Sequence, residues 1–184
     1  MSKGKTILEK KRFALTIDRL CHQLIENYED FSDACIVGVQ PKGVLLSDRI
    51  HRRLLEIMDI EDIEYGKLDV TFHRDDFRMR DIPIAANITE MDFLVEDRRV
   101  ILIDDVLYSG RTIQSALAAL QHYGRPKQVE LLTLVDRRFN RSLPIQSDYT
   151  GLTVDAINEA YVRVEWKVGK KGRDRILLFS DKGD

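Results

Sequence analysis

The stretch Val100-Ile-Leu-Ile-Asp-Asp-Val-Leu-Tyr-Ser-Gly-Arg-Thr112 carries the strongest structural signal in the chain. Its first four residues form a continuous apolar run, which is typical of a strand covered on both faces. Two adjacent carboxylates, Asp104 and Asp105, follow at the predicted carboxyl end of that strand. A short loop then leads into a helix predicted over Thr112 to Tyr123, which Gly124 brings to an end.

The loop between the acids and the helix, Tyr108 to Arg111, has the composition of an anion site. The free N–H groups and the positive dipole end of a helix start attract negative charge. Gly110 lets the backbone approach a phosphate closely, while Ser109 and Thr112 add hydroxyl donors and Arg111 adds positive charge. The acids upstream would repel a bare phosphate, so sugar hydroxyls and Mg²⁺ are their expected partners. The alternative is a capped helix after a strand whose carboxylates face water.

Short apolar strands and amphipathic helices alternate along the rest of the chain. Strands are predicted over Ala34–Val39, 64–73 and 129–135, helices from Ile17 and over 46–57, and a hairpin over 161–179. Such alternation predicts a parallel sheet with right-handed crossovers, and ligands gather at the carboxyl ends of its strands. The predicted fold class is therefore α/β, with a central, mainly parallel sheet flanked by helices and a C-terminal β-hairpin.

Bulk composition narrows the class of protein further. The 184 residues suit a single domain, and the net charge of −2 means that any polyanion must meet a local basic patch. Cys21 and Cys35 fall on apolar positions without a CxxC pattern, which predicts buried, reduced thiols in the cytosol. No stretch has the pattern of a secretory signal or the length of a membrane span, so a cytoplasmic protein is expected.

The Val100–Thr112 run resembles the motif with which type I phosphoribosyltransferases bind phosphoribosyl pyrophosphate (PRPP). In that family, hydrophobic residues precede two acids and a small Thr/Gly-rich loop. The resemblance implies that Asp104 and Asp105 face the ribose hydroxyls, near the Mg²⁺ that accompanies PRPP. It also implies that the 5′-phosphate is held by the loop residues Tyr108, Ser109, Gly110, Arg111 and Thr112.

Two further segments resemble loops of the same family that hold pyrophosphate. The run Gln40-Pro41-Lys42-Gly43, between a strand and a helix, is similar to the pyrophosphate loop, so all four residues are expected to bind pyrophosphate. Taken alone, it would be an ordinary turn with a solvated lysine. The charged stretch of about 74–88 resembles the flexible loop that covers the reacting centre, and Arg74 is its expected catalytic residue. A charged surface loop is the alternative for this stretch.

A segment of about 136–160 is similar to the hood that covers the base in this family. Val135, Asp136, Arg137 and Arg141 are its expected base-site residues, although the arginines could equally be solvated.

Within the family, the chain resembles the PyrR type, uracil phosphoribosyltransferases that double as pyrimidine-operon attenuation proteins. The markers are Leu68-Asp-Val-Thr-Phe-His-Arg-Asp-Asp76, the Asp104–Thr112 segment, and Val135-Asp-Arg137 with Leu143-Pro-Ile145. The resemblance implies the reaction of uracil with PRPP to give UMP and pyrophosphate, in a homodimer or larger homo-oligomer. The 6-oxopurine enzymes usually carry aspartate where this chain has Tyr108, which favours a pyrimidine. A different base is the alternative.

An RNA-binding regulator, with or without enzyme activity, is the second class of function. PyrR proteins bind leader RNA through a basic face that includes the N-terminal helix, and Arg19 and His22 fit that pattern. Asp18 and Glu159 place carboxylates where cation contacts to RNA would be needed, which weakens such binding. We therefore expect the enzyme ahead of the regulator. The basic segment 167–175 is expected to be a solvated hairpin tip, its charge diluted by Asp174.

Overall fold

A computed structural model describes residues 4–73, 87–139, 141–155, 160–167, 169 and 172–180. The strands are Lys5–Glu9 (β1), Ala34–Val39 (β2), Tyr65–Leu68 (β3), Arg99–Leu107 (β4), Gln128–Arg137 (β5), Tyr149–Val154 (β6), Tyr161–Glu165 (β7) and Arg175–Phe179 (β8). The helices are Lys10–Tyr28 (α1), Lys42–Met58 (α2) and Arg111–Leu120 (α3), with 3₁₀ turns at Thr71–His73 and Gln121–Tyr123. Within these ranges, no helix combines the length and the apolar character that crossing a membrane requires.

Five of the strands form a parallel sheet in the order β3-β2-β4-β5-β6, which confirms the predicted α/β class. The acid-bearing strand β4 lies at its centre and pairs with β2 on one side and β5 on the other. Gly38 of β2 is in register with Ile103 of β4, and Asp104 of β4 is in register with Thr133 of β5. The loop that follows β2 therefore begins beside the acids of β4.

Helices cover both faces of this sheet, as the continuous apolar run in β4 predicts. Ile101 and Ile103 pack in one cluster with residues of α1 and α2, such as Leu24 and Ile50. Leu102, between them, packs in a second cluster with residues of α3. Because successive strand residues point to opposite faces, one strand supplies both cores and is held rigidly between them. The functional residues at its end thus belong to a strand that is buried on both faces.

A second, antiparallel sheet has the order β1-β8-β7 and confirms the predicted C-terminal hairpin. Strand β1 was not predicted. Strand β6 was not predicted either, and it falls inside the segment of about 136–160 that resembles the hood. That segment therefore supplies the edge strand of the main sheet as well as a loop. Between the buried ends of β6, Tyr149 and Val154, the residues are polar, small or half-exposed, so no apolar periodicity marks the strand.

Several predicted boundaries differ from the structure. The strand expected over 64–73 ends at Leu68, because Asp69 accepts hydrogen bonds from the Thr71 backbone and hydroxyl and starts a 3₁₀ turn. Strand β4 extends to Leu107, so the two acids lie within the strand rather than after it. The helix after the loop begins one residue early and becomes a 3₁₀ turn after Leu120. Helix α2 begins at Lys42 instead of residue 46, so Lys42 and Gly43 lie in its first turn rather than in a loop before it. Strand β5 extends to Arg137, so Asp136 and Arg137 lie at a strand end rather than in the hood.

Candidate active site

The two acids of β4 are almost fully enclosed, with Asp104 7% and Asp105 6% exposed. The Asp105 backbone N–H donates to Oδ1 of Asp104 over 2.9 Å, which fixes the first carboxylate against its own strand. Burial raises the pKa of Asp105 above its ordinary value, while the nearby charge of Lys42 acts in the opposite direction. A buried carboxylate near a lysine from the first turn of a neighbouring helix is a typical arrangement for a functional site.

Gly43 brings the predicted pyrophosphate loop into direct contact with the acids. A Cβ atom at this position would lie 2.5 Å from the carbonyl oxygen of Ile103 and 3.0 Å from Cα of Asp104. Such distances leave room only for glycine, because backbone atoms cannot give way as a flexible side chain can. Lys42 beside it is exposed, and within the described ranges its ammonium has no hydrogen-bond or ion-pair partner. The first turn of α2 thus presents a cation near the Asp105 carboxylate.

Gln40, also expected to bind pyrophosphate, already forms hydrogen bonds with other parts of the chain. Its backbone N–H donates to the carbonyl of Leu68 over 2.9 Å, and its side-chain amide donates to the carbonyl of Ile88 over 2.6 Å. The Gln40–Pro41 peptide bond is cis. Gln40 therefore joins the end of β2 to the last residue of the segment that resembles the flexible loop. Arg74 and residues 75–86 of that segment lie outside the described residues.

The predicted phosphate loop is a tight junction between β4 and α3. Gly110 has φ of 89°, a left-handed conformation that glycine adopts without strain, and it is the N-cap of the ten-residue helix α3. The carbonyl of Ser109 accepts N–H groups from Ser142 and Leu143 over 3.0 and 3.3 Å. The loop is thereby fixed at the start of α3, where the Arg111 backbone N–H donates to the Ser109 hydroxyl over 3.4 Å and the positive end of the helix dipole favours an anion.

Arg141 holds this junction together, a role that the sequence did not reveal. Its guanidinium donates to the carboxylate of Asp136. It also donates to the backbone carbonyls of Leu107, Tyr108, Arg137 and Ile145. Because the guanidinium already donates to five acceptors, few of its N–H groups remain for a ligand. Arg141 was expected at the base; the structure shows it bracing the loop that the base would approach. Its four-residue spacing from Arg137 was the only available signal.

Arg137, at the end of β5, and Tyr108, in the loop after β4, contact each other. The Arg137 guanidinium lies 4.1 Å from the centroid of the Tyr108 ring, and one amino group donates to the carbonyl of Ala160 over 2.5 Å. Arg137 is only 7% exposed, and burial lowers its pKa. Its Nε is buried and has no partner among the described residues. Val135, also expected at the base, is fully buried in the core.

The two residues predicted for an RNA face lie on α1, apart from this cluster. Arg19 donates to the carbonyls of Thr150 and Gly151 over 3.0 and 2.7 Å and so fastens α1 to β6. His22 is exposed. Of the two expected RNA contacts, Arg19 is thus engaged in hydrogen bonds within the protein. No such bond of the His22 side chain is seen among the described residues. Glu159 lies outside the described residues.

The acid pair fits a Mg²⁺ ion that is shared with a phosphorylated ligand. Magnesium prefers oxygen donors and is commonly held by one or two carboxylates together with phosphate oxygens and water. Asp104 and Asp105 supply two carboxylates, and the junction at Gly110 and the loop at Lys42 supply places for phosphates on either side of them.

Comparisons with known proteins agree with this arrangement. Residues 3–168 match the family model of the phosphoribosyl transferase domain. A "Bifunctional protein PyrR" of Elusimicrobium minutum is 35% identical over 180 residues, covering 98% of this chain and 99% of its own. Proteins of the same name from Caldicellulosiruptor bescii and Listeria monocytogenes are 35% and 34% identical, over 89% and 97% of this chain and 89% and 98% of theirs.

Solved structures show the same fold at much lower identity. The HGPRT-ase from Leishmania tarentolae, in complex with GMP, superimposes with a TM-score of 0.71 at 15% identity and covers 99% of both chains. The hypoxanthine phosphoribosyltransferase of Trypanosoma cruzi gives 0.70 at 12% identity and 97% of both chains. Together, the domain match, the full-length relatives and the juxtaposed loops show that this chain belongs to the phosphoribosyltransferase family, among the PyrR proteins.

Proposed function

We propose that this protein is a Mg²⁺-dependent uracil phosphoribosyltransferase that converts uracil and PRPP to UMP and pyrophosphate. The observation that carries the proposal is the contact of Gly43 with the backbone at Asp104, which sets Lys42 against Asp105. A ribose held by the acids would then have its pyrophosphate beside Lys42 and its 5′-phosphate at the start of α3. The PyrR relatives support uracil as the base.

In this reaction, the bond from ribose C1′ to pyrophosphate breaks and a bond from C1′ to the uracil nitrogen forms. Positive charge builds on the ribose in the transition state, while negative charge builds on the departing pyrophosphate. Asp104 and Asp105 hold the ribose hydroxyls and Lys42 faces the leaving group. Arg74 is proposed to join Lys42. Catalysis rests on positioning and on electrostatic stabilisation of the separating charges.

Mg²⁺ bound beside Asp104 and Asp105 would neutralise part of the pyrophosphate charge. For the base, we assign Arg137 and Tyr108 to one wall of its pocket. The buried Nε–H of Arg137 is a donor still in need of an acceptor, and a uracil carbonyl is an acceptor of suitable chemistry. Asp136 and Arg141 act indirectly, by holding the loop that carries Tyr108.

Release of pyrophosphate from PRPP and Mg²⁺, measured in parallel with uracil, orotate, hypoxanthine and guanine, tests the proposed function. We expect turnover with uracil alone, because Tyr108 stands where the purine enzymes usually place an aspartate. Turnover with a purine would keep the reaction class and overturn the substrate. If PRPP binds and no base reacts, the enzyme proposal is wrong and RNA regulation takes its place.

RNA binding is a second candidate function, favoured by the bifunctional PyrR relatives and by exposed Lys11, Arg12 and His22 on α1. The structure shows that Asp18 forms an ion pair with Arg53 over 2.7 Å. We expect Asp18→Thr to strengthen binding of pyrimidine-operon leader RNA several-fold at low salt, since it removes a negative charge and releases an arginine.

A salt-dependent titration of the leader RNA measures this effect. Asp62→Thr serves as a matched control, because Asp62 is exposed, lies outside α1 and undergoes the same change. Equal affinities for the wild type and Asp18→Thr would remove the basis for placing RNA on this helix.

We further propose a cytoplasmic location and a homodimer or larger homo-oligomer. Cys21 and Cys35 are buried free thiols, and burial raises the pKa of both, to about 12 for Cys21 and about 11 for Cys35. Such inert, reduced thiols suit a reducing compartment. Leu94 and Leu117 are 68% and 37% exposed, and apolar surface of this kind suits an interface between copies.

A further inference from the structure

A cleft of about 840 Å³ opens on the protein surface. It is bounded by α1, by the middle of α2 and by the residues that flank the β7–β8 turn. None of the residues assigned to PRPP or to the base lines it. Along α2, Arg52 is ten residues from Lys42, which corresponds to about 15 Å at the helical rise per residue. The cleft is therefore a separate site.

Every carboxylate that lines the cleft forms an ion pair with a neighbouring cation, and Arg53 pairs with two of them. The pairs are Lys10–Glu9 at 3.8 Å, Arg49–Asp174 at 2.8 Å, Arg53–Asp18 at 2.7 Å and Arg53–Glu56 at 3.0 Å. The sequence alone suggested that Asp174 reduces the positive charge of the hairpin. In the structure, Asp174 is instead paired with Arg49 of α2.

Three cations of the cleft remain unpaired. Arg52, Lys167 and Arg173 line it and are exposed, and their charged groups have no hydrogen-bond or ion-pair partner in the described part of the chain. They come from α2 and from both sides of the hairpin turn. The six cations that line the cleft outnumber its four carboxylates, so the lining carries two net positive charges, which attract an anion with several negative charges.

Contacts to α2 fix the backbone of Lys167 and the side chain of Asp174, which follows Arg173. Arg49 donates to the carbonyl of Lys167 over 2.9 Å and to Asp174 over 2.8 Å, and Asp174 accepts the Lys167 backbone N–H over 2.8 Å. The Arg49 guanidinium also lies 4.6 Å from the Trp166 ring centroid. These contacts fasten both sides of the turn to α2. Less conformational entropy of the turn is therefore lost when a ligand binds at Lys167 and Arg173.

We propose that this cleft is a second ligand site, which takes the polyphosphate group of a small molecule. Arg52, Lys167 and Arg173 supply the charge, and Arg offers the forked donors that suit phosphate oxygens. Phe13, Ala14 and Ile17 of α1 form an apolar wall against which the rest of a nucleotide can lie. The shared chemistry is polyphosphate, whether it is inorganic or carried by a nucleoside.

Calorimetric titration with inorganic tripolyphosphate tests the site in the full chain. Lys42→Ala serves as the background, because it weakens anion binding at the active site while leaving the cleft intact. In that background, we expect one remaining site, whose affinity falls at least about tenfold in Arg52→Ala/Arg173→Ala, equivalent to about 1.4 kcal/mol. Arg125→Ala/Lys127→Ala removes two exposed cations elsewhere and should leave affinity unchanged. Melting curves check that each variant folds.

A parallel titration with UTP separates the two sources of polyphosphate. Tighter binding of UTP than of tripolyphosphate would support the site and assign the apolar wall to the nucleoside; equal binding would support a site for phosphate alone. The proposal is overturned if Lys42→Ala abolishes all binding, or if the cleft variant binds as well as its control. It is also overturned if a single-stranded RNA oligomer binds through Arg52 and Arg173 while tripolyphosphate does not. None of these outcomes depends on turnover with uracil.

Discussion

Asp104→Asn combined with Asp105→Asn will abolish pyrophosphate release, with a loss of turnover of about a thousandfold or more. The two carboxylates are proposed to hold the ribose on which positive charge develops, and asparagine keeps their shape without their charge. The expected loss therefore concerns chemistry and not folding. Initial rates with uracil, PRPP and Mg²⁺ measure it, and turnover retained in the double variant would remove the acids from the site.

The same double variant should be more stable than the wild type at neutral pH. Burial raises the folded pKa of Asp105 above its unfolded value, so the folded state holds the proton more tightly. Wild-type stability is therefore lost as the pH rises through the folded pKa, and the variant avoids this loss. At pH 8 we expect a melting temperature at least about 2 °C higher, which corresponds to about 1 kcal/mol for a protein of this size.

The difference in melting temperature should shrink as the pH falls towards 4, where Asp105 is increasingly protonated in the wild type. Asp59→Asn combined with Asp62→Asn is the matched control, because it removes the same two charges from exposed positions. That control should retain turnover and show no comparable gain at pH 8. A gain as large at pH 4 as at pH 8 would mean that burial of the Asp105 charge is not its cause.

Gly43→Ala is the second change expected to have a large effect, with a loss of turnover of about a hundredfold. The added Cβ would lie 2.5 Å from the Ile103 carbonyl oxygen and 3.0 Å from Cα of Asp104. Because both neighbours are backbone atoms, the pyrophosphate loop or β4 must shift. Overpacking of this kind costs about 1–3 kcal/mol of stability. The shift separates Lys42 from Asp105 as well.

Gly151→Ala separates the effect on the site from the effect on the fold. Its Cβ would lie 2.6 Å from the Leu134 carbonyl oxygen, a clash similar in kind to that at Gly43 but between β6 and β5. Thermal melting should show comparable destabilisation in both variants, whereas initial rates below the melting range should fall only for Gly43→Ala. Equal loss of turnover in both would assign the effect of Gly43 to general stability.

Local pattern was enough to predict most elements of this fold. The apolar run of β4, the amphipathic faces of α1 and α2, and the glycines of the two loops each follow from the chemistry of neighbouring residues. Strand β6 escaped prediction because its middle residues are polar or small and lie at a sheet edge, where burial is incomplete. Strand β1 has only five residues and is paired with the far end of the chain.

The sequence by itself determined the α/β class, the acid pair, the glycine positions and the resemblance to the phosphoribosyltransferases, since each of these depends on residues adjacent in the chain. Only the tertiary structure decided which charges are free. Arg141 and Arg19 are occupied by carbonyls, and Asp174 is neutralised by Arg49 from 125 residues away, whereas Lys42 is left to face the acids. The reason is physical: a charge pairs with whatever the fold brings within a few ångströms, and the order of residues along the chain does not specify that distance.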